Sequence, residues 1–252
     1  MLGDPVGHSR SPAIHQLALQ LAGLRGEYLA IRANRSQMAD LLAELRAGQY
    51  QGFNVTMPLK ELAAASVDRM TSAGWAAGSV NTLRMDGTYL EGHSTDAIAF
   101  GEMLDTKGLD ETQAVLVLGT GGSAKAALSV LEDRNVYLSS RSKGKVEALA
   151  ATHPWVTAVP WGSGVADTLV INCTPVGMNG ETLPVGVLEV AASLIDLPYG
   201  SSPTPAVVHA SELGIGYIDG FDFLARQAAA SFEWWTGVSV DFSRLATVAR
   251  NV

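Results

Sequence analysis

The feature that most constrains this chain is a glycine-rich turn near its middle. Ala114-Val115-Leu116-Val117-Leu118 is an unbroken apolar run, the pattern of a short strand buried on both faces. Gly119-Thr120-Gly121-Gly122 follows at once, and residues 123–131 favour a helix. A buried strand, a tight glycine turn and a helix in that order make the βα unit of a doubly wound, mostly parallel sheet. Gly119 permits the turn, Gly121 lets a pyrophosphate approach the backbone, and the small Ala124 lets helix and strand pack closely. The N–H groups of Gly122 and Ser123 then face the phosphates, aided by the helix dipole. Such a turn also occurs as plain geometry, so its flanking strand and helix carry the weight of a dinucleotide-binding reading.

The next strand end selects the cofactor. Enzymes that use NAD place an acid about 20 residues on, to hold the ribose 2′-hydroxyl. Here the run is Ser139-Ser140-Arg141-Ser142-Lys143-Gly144-Lys145, with cations and hydroxyls and no acid. A 2′-phosphate needs that environment: Arg141 offers a bidentate fork, Ser140 and Ser142 donate hydrogen bonds, and Lys145 adds charge. The expected cofactor is therefore NADP.

The flanking segments alternate in the same way. Ser11-Pro12 reads as a helix cap followed by proline at the first helical position, with Ile14, Leu17, Ala18 and Leu21 at helical spacing. Residues 27–32 read as a strand, Ser36 as the cap of a helix carrying Leu41, Leu42 and Leu45, and residues 52–56 as a strand stopped by Pro58. Only Met1 and Leu2 precede Gly3, which leaves room for little of a first strand. From about Asp222 the chain reads as helical, with Phe223, Leu224, Ala228 and Phe232 as a buried stripe. The expected class is α/β. An N-terminal α/β domain with a mostly parallel sheet covers residues 1–98, and a Rossmann domain covers 99–220. The helices of 221–252 pack back on the first.

Composition limits what such a protein does. A length of 252 residues, 47% hydrophobic and 17% charged, describes a globular chain. The formal charge of −8 argues against nucleic acid or an anionic membrane as partner. No apolar run reaches the roughly 18 residues that span a bilayer, and the first residues lack a basic n-region and an apolar h-region. Cys173 is the single cysteine, which suits a reducing cytoplasm. No pair of histidines shares metal-ligand spacing with a carboxylate, so no metal is expected. Cys173 reads as a small buried packing residue, and His93, His153 and His209 as structural or exposed.

Three polar clusters remain: Asn54-Val55-Thr56-Met57-Pro58-Leu59-Lys60, Ser79-Val80-Asn81-Thr82 and Gly92-His93-Ser94-Thr95-Asp96. Singly, Lys60 reads as a surface lysine at a helix start, and Asp96 as the cap of a helix containing Phe100 and Leu104. Together with Gly3-Asp4-Pro5-Val6-Gly7-His8-Ser9-Arg10-Ser11-Pro12 and Gly119–Ser123, they resemble the shikimate dehydrogenase family along nearly the whole chain. Segments 196–199 and 220–227 extend the match.

That resemblance implies a substrate domain, an NADP-binding domain and a cleft between them. It implies NADPH-dependent, reversible reduction of 3-dehydroshikimate to shikimate in aromatic amino-acid biosynthesis. It makes Lys60 and Asp96 the catalytic pair and puts Ser9 and Ser11 on the substrate carboxylate. Thr56, Asn81, Tyr199 and Gln227 line the substrate site, and Thr174, Leu197 and Gly220 fall on the nicotinamide side. The chain departs from the family at Ser94, where asparagine is usual, and at Asp222-Phe223, where Gly-Met is usual. It departs again at Lys145, which replaces an arginine fork with a point charge. Three alternatives follow: a dehydrogenase of this fold acting on quinate or an amino analogue, the same enzyme using NAD, and a non-catalytic NADP-binding module. Retention of both Lys60 and Asp96 disfavours the last, since a sensor needs no proton transfer. A monomer and a homodimer are both compatible with the sequence.

Overall fold

The computed structural model describes residues 1–107 and 113–251. It divides into two compact units, Met1–Glu102 with Leu224–Val252, and Met103–Phe223. No helix among the described residues is long and apolar enough to cross a membrane.

The first unit runs β1 (Leu2–Gly3), α1 (Ser11–Leu21), β2 (Ile31–Arg32), α2 (Met38–Arg46), β3 (Gly52–Asn54), α3 (Lys60–Ser66), β4 (Arg69–Met70), α4 (Ser72–Ala77), β5 (Thr82–Asp86), β6 (Tyr89–His93) and α5 (Thr95–Lys107). Strands pair in the order β3-β5-β6-β4, and β1 pairs with β2. A parallel bridge from Leu2 to Val55 brings β1 beside the end of β3. Strand β5 runs antiparallel to both its neighbours, while β1–β2 and β4–β6 are parallel. One inverted strand thus interrupts an otherwise parallel arrangement. Its cause is local: Gly87-Thr88 joins β5 to β6, with Gly87 at φ +60, as a tight two-residue hairpin requires. The core beneath holds Leu2, Met38, Leu45, Phe53, Leu59 and Leu83.

The helix starts differ from the sequence expectation. Arg10 precedes α1 and Ser11 is already helical. Ser36 does not cap α2. Asn34 shapes that entry instead, its Oδ1 accepting from the backbone N–H groups of Ser36 (3.0 Å) and Gln37 (3.2 Å). The strand expected at 27–32 shortens to Ile31–Arg32.

The second unit runs β7 (Val115–Leu118), α6 (Gly122–Leu128), β8 (Val136–Ser139), α7 (Lys143–Thr152), β9 (Val156–Ala158), β10 (Leu169–Asn172), β11 (Ser193–Asp196), α8 (Pro205–Glu212) and β12 (Gly216–Ile218). The sheet order is β12-β11-β10-β7-β8-β9, and every pair is parallel. Strand order reverses at β7, so the Gly119 turn sits at the switch point, where open α/β sheets bind ligands. Val115–Leu118 is wholly buried. Helix α9 (Gly220–Thr236) then leads into α10 (Phe242–Asn251). Asp219 caps α9, its Oδ1 accepting from Asp222 N–H at 3.1 Å. Phe223, Leu224, Ala228 and Phe232 are all buried.

The ends of β10 and β11 are tied by a buried carboxylate. Asp196 accepts hydrogen bonds from Asn172 Nδ2 at 2.7 Å and from the Thr204 hydroxyl. Burial pushes its pKa up to about 6, against the pull of those two donors. The folded state therefore favours the protonated acid. Its contribution is fully present below the ordinary carboxylate range near pH 4 and is lost as pH rises through about 6. A shift of that size corresponds to about 2–3 kcal/mol. The stability difference between the parent and Asp196→Asn, measured by urea unfolding, should therefore fall by this amount across that window. A flat difference would show that folding does not raise the Asp196 pKa.

Candidate active site

Lys60 opens α3 directly after the β3 strand and Pro58, which ends the extended run. Asp96 is the second residue of α5. The cap of that helix is Ser94, whose Oγ accepts from Ala97 N–H at 3.4 Å, and not Asp96. This releases the Asp96 carboxylate from the backbone, and it pairs with Lys60 Nζ. The Asp96 side chain is 3% exposed and that of Lys60 15%. An ion pair so far from water is costly unless its remaining lone pairs are satisfied. Asn81 supplies the second donor, its Nδ2 lying 2.8 Å from Asp96 Oδ1.

The orientation of Asn81 is set in part by a backbone donor. Thr95 N–H donates to Asn81 Oδ1 at 2.8 Å, so the amide nitrogen must point at Asp96. Gln227 on α9 approaches the same nitrogen, with Oε1 at 3.4 Å. Beneath lies a cluster of buried hydroxyls, Thr82, Thr95 and Ser231. Asn54 Nδ2 donates into it, to Ser231 at 2.8 Å and Thr82 at 3.0 Å, and Asn54 Oδ1 accepts from Tyr28 at 2.7 Å. The Tyr28 ring stacks on buried His15 with centroids 4.1 Å apart. Burial pushes His15 down to about 3, so it is neutral.

Of the other residues read from the sequence, Ser9 and Ser11 stand at the start of α1, where Ser9 Oγ accepts from Ser11 N–H at 3.2 Å. Thr56 continues the β3 rail, its N–H donating to Leu2 O at 2.8 Å. Tyr199 belongs to the second unit, with its ring 5.5 Å from that of Phe221. The first unit thus gathers Lys60, Asp96, Asn81 and Gln227 into one bonded group. The bonds of Ser9, Ser11 and Thr56 just described run to α1 and β1 instead.

In the second unit, Gly119 has φ +114, and a Cβ there would meet the Cys173 carbonyl at 3.2 Å. The positive φ favours glycine, and a side chain would also press the Cys173 carbonyl back by a few tenths of an ångström. Around Gly121 a Cβ would meet nothing within 4 Å, so the turn opens on room for a ligand. Gly122 and Ser123 begin α6, which has no acid in its first turn, and Ala124 is fully buried. Arg141, Ser142 and Lys145 are exposed beyond β8, and Ser140 Oγ shapes their loop by accepting from Ser142 N–H at 3.0 Å. Thr174 Oγ1 donates to Asn172 Oδ1 at 2.6 Å, and Leu197 N–H donates to Asn172 O at 3.1 Å. These bonds gather the ends of β10 and β11 beside Gly119.

A hollow of about 460 Å³ adjoins Arg141, lined also by Trp161, Pro175, Val176 and Glu181. The Glu181 carboxylate accepts from its own backbone N–H, from the Asn179 side-chain amide and from the N–H groups of Asn179 and Gly177, and these bonds hold its pKa down to about 2. Sequence reasoning passed over Trp161 and Glu181, and Ser231 as well. The last stands four residues beyond Gln227, a spacing that puts both on one helix face. Cys173, expected to be buried, is half-exposed. His93 stacks on Trp234 at 5.1 Å and lies 2.7 Å from Thr71 Oγ1, a structural role.

Comparison with known proteins supplies the lineage. The model of the shikimate dehydrogenase substrate binding domain matches residues 1–83. The shikimate dehydrogenase (NADP(+)) of Exiguobacterium sp. is 33% identical over 244 residues, covering 96% of this chain and 93% of its own. This chain belongs to the shikimate dehydrogenase family. Its relative from Thermus thermophilus is 34% identical, over 99% of this chain and 96% of that one. A crystal structure of shikimate 5-dehydrogenase from the same species, in complex with NADP(H) and shikimate, superposes with a TM-score of 0.90. It has 33% identity and covers 99% of this chain and 97% of that one. Within this family member, the strain relieved at Gly119 has a measurable size. Gly119→Ala should cost about 1–3 kcal/mol, read as a lower urea midpoint with unchanged slope.

Proposed function

We propose that this chain catalyses the reversible NADPH-dependent reduction of 3-dehydroshikimate to shikimate. The observation that carries the reading is the Lys60–Asp96 pair. It is shielded from water, completed by Asn81 and set in a chain related over nearly its whole length to shikimate dehydrogenases (NADP(+)). Residues 1–98, with the helices of 221–252, form the substrate domain, and residues 99–220 form the NADP domain.

When bound, NADPH supplies the hydride that reduces the C3 carbonyl. Lys60 holds the proton that the nascent alkoxide requires and transfers it from Nζ. In the reverse direction it takes that proton back. Asp96 keeps the ammonium oriented and accepts from a ring hydroxyl of the substrate, while Asn81 holds the carboxylate still. Ser9 and Ser11 donate to the substrate carboxylate. Thr56, Gln227 and Tyr199 keep the substrate-binding roles that the family resemblance implies.

Residues at the β7 turn fit the cofactor. The opening at Gly121, with Gly119, Gly122, Ser123 and Ala124 around it, suits a pyrophosphate. Arg141, Ser140, Ser142 and Lys145 suit a 2′-phosphate, and the absence of an acid in their loop supports NADP over NAD. Thr174, Leu197 and Gly220 attend the nicotinamide side. The lone Cys173 supports a reducing, cytoplasmic setting, in which the chain works as a monomer or a homodimer.

Purified protein given shikimate and NADP⁺ should produce reduced nicotinamide, followed by its near-ultraviolet absorbance. Absence of signal from cofactor-binding protein would overturn the proposal. Lys60→Ala should lower kcat by about 10²–10⁴-fold with little change in KM, the worth of general acid–base assistance. Arg141→Ala should raise KM for NADPH by about 10–100-fold, the loss of a charged hydrogen bond, and leave kcat nearly intact. An equal loss with NADH would remove Arg141 from the 2′-phosphate.

A further inference from the structure

Ser231 stands on α9, four residues after Gln227, and is fully buried. Its Oγ lies within hydrogen-bond distance of four partners: the Gln227 carbonyl (2.8 Å), Asn54 Nδ2 (2.8 Å), Thr82 Oγ1 (3.0 Å) and Thr95 Oγ1 (3.0 Å). None of these is Lys60 or Asp96. We infer that Ser231 is a positioning residue: its hydroxyl holds Thr95 and Asn54 so that the Asn81 amide stays turned toward Asp96. The inference rests on Lys60 and Asp96 being the proton-transfer pair proposed above.

One allotment of hydrogens satisfies every member of the cluster. Ser231 donates to the Gln227 carbonyl and so has two lone pairs to offer. Asn54 Nδ2 and the Thr95 hydroxyl donate to them. The second Asn54 hydrogen goes to Thr82, whose own hydroxyl donates to Asn81 Oδ1 at 3.2 Å. Asn81 then gives one hydrogen to Thr95 Oγ1 at 2.9 Å and the other to Asp96 at 2.8 Å. Removal of the Ser231 hydroxyl breaks this order at Thr95. Its hydrogen must turn to a longer bond, to Thr82 Oγ1 at 3.3 Å or to Asn81 Oδ1 at 3.2 Å, the latter already accepting from Thr95 N–H and Thr82. The Thr95 lone pair that held Asn81 Nδ2 turns with it, and the amide loses one of its two fixed acceptors. Asp96 then loses its steady second donor. Ser231 also bonds the carbonyl of Gln227, whose side chain approaches Asn81, so substrate contact and proton relay share one anchor.

Ser231→Ala should lower kcat for shikimate oxidation about tenfold, the loss expected when a buried partner is deleted. KM for NADP⁺ should stay within about twofold. Ser231→Thr, which restores a hydroxyl, should recover most of the rate. In an Asn81→Ala background the Ser231→Ala change should cost nothing further, because both act through one amide. Thr236→Ala is the control. It removes an equivalent hydroxyl-to-carbonyl bond from the same helix (2.7 Å, to Phe232) and should leave kinetics unchanged. If Ser231→Ala does not accumulate as folded protein, Ser231→Cys takes its place with the same expected split. The side-chain amide resonances of Asn81, assigned through Asn81→Ala, are read in the same preparations and should shift in Ser231→Ala.

Wild-type kcat in Ser231→Ala, a loss additive with Asn81→Ala, or unshifted Asn81 resonances would each overturn the inference. An inactive parent enzyme would overturn the proposed function instead, and the Asn81 resonances would still decide the role of Ser231.

Discussion

A carboxylate almost wholly withdrawn from water must be surrounded by donors, and Asp96 sets that demand on the first unit. Lys60 meets it with charge and Asn81 with an amide hydrogen. Neither donor is near Asp96 in sequence. Strand β3 and its proline deliver Lys60, the lead-in to β5 delivers Asn81, and Ser94 takes over the capping duty that would otherwise hold Asp96 at the helix end. The inverted strand β5 matters for the same reason. Its hairpin with β6 brings the chain back to pair Thr82 with His93, which sets Asn81 beside Thr95 and Asp96. Burial without these partners would cost several kcal/mol. With them, the pair is held in one geometry by the fold.

The second unit meets a different constraint at the switch point of its parallel sheet. The carboxyl ends of β7, β10 and β11 converge on Gly119, whose left-handed backbone and close approach to Cys173 disfavour a side chain. Asn172 gathers this edge by bonding Thr174, Val176, Leu197 and Asp196. Polar side chains at buried strand ends thus fasten the loops that flank the cofactor turn. The positive loop at Arg141 is exposed and shaped by short-range hydrogen bonds, so its charge is available to an anion.

Much of this was legible in particular residues. Val115–Leu118 and the glycines after it announce a buried strand and a tight turn because both signals are local. The helical stripe of Phe223, Leu224, Ala228 and Phe232 is legible for the same reason. The β5–β6 hairpin was missed although Gly87 before Thr88 marks such a turn, because the flanking strands carry Arg84 and Glu91 and alternate weakly. The capping errors at Ser11 and Ser36 have one cause. A serine near a helix start is a common cap, but which of several nearby polar side chains reaches the N–H groups depends on the entering backbone.

By itself the sequence determined the doubly wound second unit, the glycine turn and the acid-free basic loop, since strand burial, turn geometry and charge are written within a few adjacent residues. It also placed Lys60 and Asp96 as a pair, through family resemblance and not through any local rule. Only the tertiary structure decided that Ser94, not Asp96, caps α5, that Asn81 points its nitrogen at Asp96, and that Ser231 closes the hydroxyl cluster beneath them. The last of these depends on which donor meets which acceptor across more than a hundred residues of chain. Hydrogen-bond direction at a buried site is set by three-dimensional proximity, and no spacing in the sequence encodes it.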